Sequence, residues 1–293
     1  MKIYQVTFTH LVNFIGIVAV FRIIFRFVTF VYIYIRPSSI LRYKTEGAYA
    51  VVTGASDGIG KGIALELAAK GFNLILHAKD SVKMNTVISD ALMINPSLDI
   101  RCVIHDSSVY GIPDISGIEH LPIKILVNNV GIGPIKAFSQ LSAAEIDAIV
   151  NVNILFATQL TNRLLPFLSG DSLILNISSY AGILPPPFLA VYAATKAYNN
   201  AFSKSLSIEL ENIETISILT GSVHTGSNKK PVSFLRPSSQ HFAKKVLSVV
   251  GCGKKSVMPY WPHAAQTYLL SLLPERMMDN AMKNSMQKEV SNR

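Results

Sequence analysis

The stretch Thr53-Gly54-Ala55-Ser56-Asp57-Gly58-Ile59-Gly60 constrains this chain more than any other. It joins a run of small and β-branched residues (48–53) to a helix-compatible stretch (60–70). Glycine permits the tight turn and leaves bare backbone that a phosphate can approach closely. The helix behind it offers unpaired N–H groups and the positive end of its dipole. The spacing differs from the more familiar G-x-G-x-x-G, and a lone glycine trio is a weak signal. The flanking strand and helix turn it into a dinucleotide cradle, with Gly54, Ser56, Asp57, Gly58, Ile59 and Gly60 as the cofactor-binding candidates.

From Gly47 onward short apolar runs alternate with helical stretches. The pattern predicts strands at 48–53, 73–78, 100–105, 123–128, 172–177 and 215–219, and helices at 60–70, 82–94, 143–168 and 190–212. The apolar runs are continuous, as in parallel strands covered on both faces. The expected fold class is α/β: a doubly wound, mostly parallel sheet of Rossmann type. The loop at 225–237 is polar with two prolines, 238–250 reads as a lid helix over a pocket, and the tail 277–293 as a polar helix that frays.

An N-terminal membrane-anchoring helix precedes this domain. Residues 3–35 are almost all apolar or aromatic, and as one helix they would reach roughly 50 Å, more than a bilayer core needs. Arg22 and Arg26 interrupt the run, so residues 3–21 are expected to span and 22–35 to lie at the interface with both arginines at headgroups. Arg36, Arg42 and Lys44 follow, which places the next domain on the cytosolic side. The expected division is thus an anchor and basic linker at 1–46 and a catalytic domain at 47–293. Gln5, His10 and Asn13 dilute the span and leave an in-plane anchor open. The length of the run and the lack of a small-residue cleavage site argue against a signal peptide.

Composition supports contact with lipid. Hydrophobic residues make up 49% of the chain and charged ones 15%, so some apolar surface should meet a bilayer or an apolar ligand. The net charge of +9 suits anionic lipid, nucleotide phosphate or an acyl-CoA. Its cations are scattered and form no nucleic-acid module, so no nucleic-acid partner is expected. Cys102 and Cys252 are the only cysteines and show no metal-ligand spacing. No metal site and no disulfide framework are expected, and a reducing compartment is.

The chemistry lies further along. Tyr192 and Lys196 are four residues apart on a predicted helix and share a face. A lysine ammonium beside a phenol, with the positive nicotinamide ring, should lower the phenol's pKa from about 10 and make it a usable acid. Lys196 should also hold the nicotinamide ribose. Ser179, at a strand end, can donate to the same carbonyl oxygen. Asn153, in the long helix, can hold a water that links Lys196 to solvent. The second strand ends His77-Ala78-Lys79, with no carboxylate for the ribose hydroxyls and a cation for an extra phosphate. This favours NADPH over NADH, with Asp80 and Asp57 as counter-indications. Asp106 can bond the adenine. In Asn128-Asn129-Val130-Gly131 one asparagine can bridge strands, with Asn129 counted among the cofactor-binding residues.

In order and distance these motifs resemble those of the short-chain dehydrogenase/reductase family, from about Ala48 to near Pro262. The resemblance implies a tetrad of Asn153, Ser179, Tyr192 and Lys196. It also implies that the loop Thr220-Gly221-Ser222-Val223-His224-Thr225 closes over the nicotinamide through Val223 and Thr225. Thr220 stands where the family has proline, which implies a less rigid loop; His224 reads as a loop residue. The apolar N-terminus, Asp57-Gly58-Ile59-Gly60-Lys61, Asn151-Val152-Asn153-Ile154-Leu155 and Tyr260-Trp261-Pro262-His263-Ala264 are similar to the microsomal very-long-chain 3-oxoacyl-CoA reductases, a group that includes 17β-hydroxysteroid dehydrogenase type 12. That resemblance implies NADPH-dependent reduction of a 3-oxoacyl-CoA in fatty-acid elongation at the endoplasmic reticulum membrane. A steroid, terpenoid or secondary-metabolite ketone is the alternative substrate, and a homodimer is common in the family. The terminal Ser291-Asn292-Arg293 lacks the dilysine retrieval signal that many members of that group carry.

Overall fold

The computed structural model describes residues 2–291, with side chains from His10 onward except Ser169. The chain divides into two compact units, one up to Pro37 and one from Ser38. The first is a single helix, α1 (Lys2–Ile35). It runs through Arg22 and Arg26 without a break, so the division expected at Arg22 is not a structural one; arginine is a good helix former and no proline intervenes. Its segment His10–Ile35 has 26 residues and a mean hydropathy of 2.2, long and apolar enough to cross a membrane. Of the span expected at residues 3–21, the part before His10 lies outside the residues whose side chains are described.

In the second unit, residues that the sequence reads as linker are docked. Ile40 and Tyr43 are buried, and the Tyr43 hydroxyl donates to Glu214 at 2.5 Å. Glu214 in turn accepts from the Gly251 N–H at 2.9 Å.

Seven parallel strands follow: β1 (Tyr49–Thr53), β2 (Asn73–Ala78), β3 (Ile100–Ile104), β4 (Ile123–Asn128), β5 (Leu168–Ser179), β6 (Ile213–Thr220) and β7 (Ser256–Val257). Their order is β3-β2-β1-β4-β5-β6-β7. The order reverses between β1 and β4, and in such sheets a crevice opens at that point beyond the strand ends. All five residues of β1 are buried, as its run of small and β-branched side chains requires. One face of the sheet carries Val51, Ile75, Leu126 and Ile174 against Phe156, Leu160 and Leu164.

The helices are α2 (Gly58–Ala69), α3 (Ser81–Ile94), α4 (Ala143–Val150), α5 (Phe156–Leu164), α6 (Ala190–Glu209), α7 (Ser239–Ser248), α8 (Trp261–Ser271) and α9 (Glu275–Ser291). Caps set their starts: Asp80 accepts from Lys83 N–H at 3.0 Å, and Ser142 with Glu145 forms a reciprocal capping box. Two expectations are corrected. The single helix read at 143–168 is α4 and α5 joined by a wide π turn, Asn151–Leu155. The stretch read as a lid, 238–250, contains α7, which buries Phe242, Ala243, Val246 and Leu247 instead of covering a pocket. Its partner is α2. At Gly62 an added Cβ would lie 2.9 Å from both Ser239 O and Ala243 Cβ, so the helices cross in close contact there.

Candidate active site

The ends of β1, β4, β5 and β6 open onto a cavity of about 800 Å³. Gly54, Asp57, Gly58 and Ile59 form one wall, and Tyr192 with Lys196 of α6 another. Gly54 and Gly58 adopt φ of +63° and +58°, where a side chain is strained. Gly60 leaves no room for a Cβ, because Gly54 C lies 2.9 Å from where it would sit. The turn therefore presents main chain to the cavity, with the N-terminus of α2 behind it, and this fits a cofactor pyrophosphate.

Asn129 holds this turn in place. Its side-chain amide donates to Thr53 O at 2.9 Å and to Gly54 O at 3.2 Å, and its N–H donates to the Thr53 hydroxyl at 2.9 Å. The bridge between strands is thus Asn129. Asn128 points into the interior, donating to Thr161 at 2.8 Å and Asn176 at 2.7 Å.

The opposite wall is the segment after β6. Val223 and Thr225 line the cavity, and Thr225 lies against Gly58. Thr220, where the family has proline, is the last residue of β6. Its hydroxyl donates to Ser178 O at 2.9 Å, which ties the base of the loop to β5. Asn228 braces the same loop by donating to Val223 O at 2.9 Å and to the Ser222 hydroxyl at 3.1 Å.

The Ser179 side chain is near enough to Tyr192 to favour the phenolate, and its hydroxyl donates to Thr220 O at 3.4 Å. The Ser179 hydroxyl also accepts from Ala181 N–H at 3.1 Å. The Lys196 ammonium donates to Ile177 O at 2.7 Å and lies 5.7 Å from the centre of the Tyr192 ring. Burial lowers the Lys196 pKa to about 8. Burial raises that of Tyr192, and the Ser179 side chain only partly offsets this. The expected acidification includes the charge of the nicotinamide ring; in the chain by itself, loss of hydration outweighs the neighbouring serine.

Asn153 is buried in the π turn. It accepts from Ile132 N–H at 2.8 Å and donates to Ile132 O at 2.8 Å and to the Thr195 hydroxyl at 2.9 Å. It thereby fixes the segment 131–133 against α6. Six predicted residues do not line the cavity: Ser56, Gly60, Lys79, Asp106, Asn153 and Ser179. Ser56 is half-buried in the turn, while Lys79 and Asp106 face each other across 4.0 Å on the exposed surface beyond β2 and β3. Asp106 spends one carboxylate oxygen on Ser108 N–H and hydroxyl, at 2.9 and 2.8 Å.

Some functional positions escaped the sequence reading. Gly133 packs on the Tyr192 ring, and Met286 and Glu289 of α9 line the cavity. Gly133 stood two residues beyond an already suspicious glycine, whereas the polar tail carried no signal of its return to the site.

Comparison with known proteins agrees with this geometry. The family model for short chain dehydrogenases matches residues 48–234. A very-long-chain 3-oxoacyl-CoA reductase-like protein of Arabidopsis thaliana is 33% identical, over 94% of this chain and 93% of its own length. Very-long-chain 3-oxoacyl-CoA reductase-B of Danio rerio is 34% identical, over 82% of this chain and 81% of its own. Among solved structures, a short-chain dehydrogenase from Sphingobium yanoikuyae in complex with NADPH superposes with a TM-score of 0.62 at 24% identity, over 78% of this chain and 97% of that one.

Proposed function

This chain belongs to the short-chain dehydrogenase/reductase family of oxidoreductases, and from that premise we propose that it is a membrane-anchored, NADPH-dependent reductase of long-chain 3-oxoacyl-CoA in fatty-acid elongation. The observation that carries the reading is the convergence of Tyr192, Lys196 and the glycine turn on one cavity, with Ser179 close enough to the phenol to favour its ionised form. The names of the relatives in Arabidopsis thaliana and Danio rerio support the substrate class.

Gly54, Asp57, Gly58 and Ile59 would hold the pyrophosphate, Lys196 the nicotinamide ribose, and Val223 with Thr225 the carboxamide end. Lys79 supports an extra phosphate on the adenosine ribose, with Asp106 toward the adenine. Bound NADPH supplies the hydride and, once oxidised, a positive ring. Tyr192 gives its proton to the carbonyl oxygen of the substrate. Ser179 donates a second hydrogen bond to that oxygen and stabilises the charge that develops there. Lys196, cationic below about 8, favours the phenolate that remains. Asn153 keeps segment 131–133 and α6 in register, so that these groups meet.

Helix α1 is the anchor in this reading. The basic Arg36, Arg42 and Lys44 after it support a cytosolic orientation of the catalytic unit, at the endoplasmic reticulum membrane in this reading. The test is NADPH oxidation by the full chain in microsomes, with long-chain 3-oxoacyl-CoA set against steroid and terpenoid ketones. The acyl-CoA should be preferred, and Tyr192→Phe should lower its turnover about a thousandfold. A preferred steroid or terpenoid ketone overturns the substrate, and a fully active Tyr192→Phe overturns the mechanism.

A further inference from the structure

Beyond the cavity, α8 and α9 form a hairpin that turns at Leu272-Leu273-Pro274. The inner side of α8 is committed to the protein. Pro262 and His263 are buried, and Thr267 donates to Met258 Sδ at 3.4 Å and bonds the Tyr180 hydroxyl. The outer side is uncovered. Trp261, Tyr268, Leu269 and Leu272 follow helical spacing, and their exposures run from 47% to 65%. Across the turn Met277 is exposed too, at 58%. At the other end the Phe234 ring meets Trp261 edge-on, with centres 5.6 Å apart. This brings in the loop 229–236, whose Val232 and Phe234 are also exposed.

The charge on the α8 side of this surface is basic, while Glu275 and Asp279 stand on α9 beyond the turn. From residue 215 to 274 the chain has no Asp or Glu, yet it has seven Lys or Arg. Three of them, Lys229, Lys230 and Arg236, lie on the loop that Phe234 joins to Trp261. An aromatic and leucine face flanked by cations matches the interfacial layer of a bilayer, where Trp and Tyr rings sit at headgroup depth and cations meet anionic lipid. The chain also carries a helix fit to cross a bilayer, so its catalytic unit has lipid to meet.

We infer that the outer face of the α8–α9 hairpin is a second membrane contact, seated in the interfacial layer of an anionic bilayer. The hairpin then connects lipid with the catalytic cavity. Helix α9 leaves the lipid-facing turn and returns Met286 and Glu289 to the cavity wall, where Glu289 is latched to Lys230 at 2.6 Å. On α9 the half-buried positions are Met278, Met282, Met286 and Glu289, a stripe of flexible apolar side chains ending at the cavity. A membrane-dissolved acyl chain has an apolar path along that stripe. The docking itself does not depend on which ketone is reduced.

Trp261 is the only tryptophan of the chain, so the intact protein carries its own probe. The full chain is reconstituted in phosphatidylcholine vesicles containing phosphatidylserine, with lipids brominated at shallow or deep chain positions. Shallow bromines should quench Trp261 emission by at least about half, and deep ones less. A second variant, Trp261→Phe with Leu272→Trp, moves the probe to the turn; it should emit further to the blue and be quenched more strongly. Circular dichroism checks that it is folded. Unquenched, red-shifted emission from both probes overturns the contact. So does a blue shift that grows with protein density without bromine quenching, because a second copy then covers the face. Equal quenching in vesicles lacking phosphatidylserine overturns the match to anionic lipid. No readout requires turnover, so a failure here leaves the reductase reading untouched.

Discussion

Gly133 lies flat against the ring of Tyr192: a Cβ added at Gly133 would come within 2.6 Å of Tyr192 Cγ. The acid of the site is thus positioned by a side chain that is missing. Gly133→Ala must push the ring aside or shift the 131–133 segment that Asn153 holds. A misplacement of about 1 Å can cost a hundredfold in rate, so turnover should fall by about that factor. Cofactor affinity should change little, because the glycine turn is untouched. Steady-state kinetics with cofactor titration checks this; unchanged turnover in Gly133→Ala would show that the ring moves freely.

The buried Lys196 makes stability depend on pH in a defined direction. Its folded pKa is lowered to about 8 by burial. The unfolded chain keeps that proton up to about 10.4, so between the two values the unfolded state binds more protons and stability rises with pH. The penalty for burying the cation is full below about 8 and gone above the unfolded value. Lys196→Met removes it. The stability gap between Lys196→Met and the parent should therefore move by about 3 kcal/mol against the variant between pH 7 and pH 10.5. Denaturant titrations at both pH values measure the change, and a gap independent of pH contradicts the buried cation.

Six of the seven strands were legible in the sequence because each contains a short apolar run, whereas the two-residue β7 (Ser256–Val257) carried no such signal; the order of glycine turn, Ser179, Tyr192 and Lys196 marked the site. Other features depended on contacts between distant segments. Nothing local separates Asn128, which turns inward to Thr161 and Asn176, from Asn129, which bridges to Thr53. The π turn at Asn151–Leu155 keeps helical composition, so the sequence reads as one helix. Helix α7 has the amphipathic look of a lid, and only the close approach at Gly62 shows that it is packed on α2. The raised pKa of Tyr192 in the chain without its nicotinamide was hidden for a related reason. Spacing reveals which charges are near, but burial, which dominates here, belongs to the whole fold.

Lys79 and Asp106 face each other at 4.0 Å on the exposed surface, so part of the lysine's charge is already answered. Lys79→Asp would set two carboxylates side by side and repel a ribose phosphate. The ratio of kcat/KM for NADPH over NADH should fall by roughly tenfold or more, the equivalent of one lost charged contact. Lys79→Ala should fall less, because Asp106 then stands alone. An unchanged ratio in both variants removes Lys79 from cofactor selection.

Asn153 makes three hydrogen bonds in a buried setting, two to the backbone of Ile132 and one to Thr195. Thr195 in turn donates to Tyr192 O at 2.7 Å, so the amide reaches the backbone of the catalytic tyrosine in two steps. Asn153→Leu keeps the volume but leaves the Ile132 N–H and C=O without their partner, at a cost of about 1–3 kcal/mol for each unsatisfied group. Catalysis should suffer beyond this loss. Gly131, next to Ile132, packs against Lys196: a Cβ there would lie 3.2 Å from the ammonium and 3.4 Å from Asn153 Oδ1. If the segment drifts, the surroundings of Lys196 open to water and its pKa returns toward the ordinary lysine value. The limb of the pH–rate profile that follows Lys196 should then move upward from about 8 in Asn153→Leu, together with a lower kcat. A lower melting temperature with an unmoved limb would make Asn153 a purely structural residue. A moved limb in a variant that still folds places it in the support of the catalytic lysine.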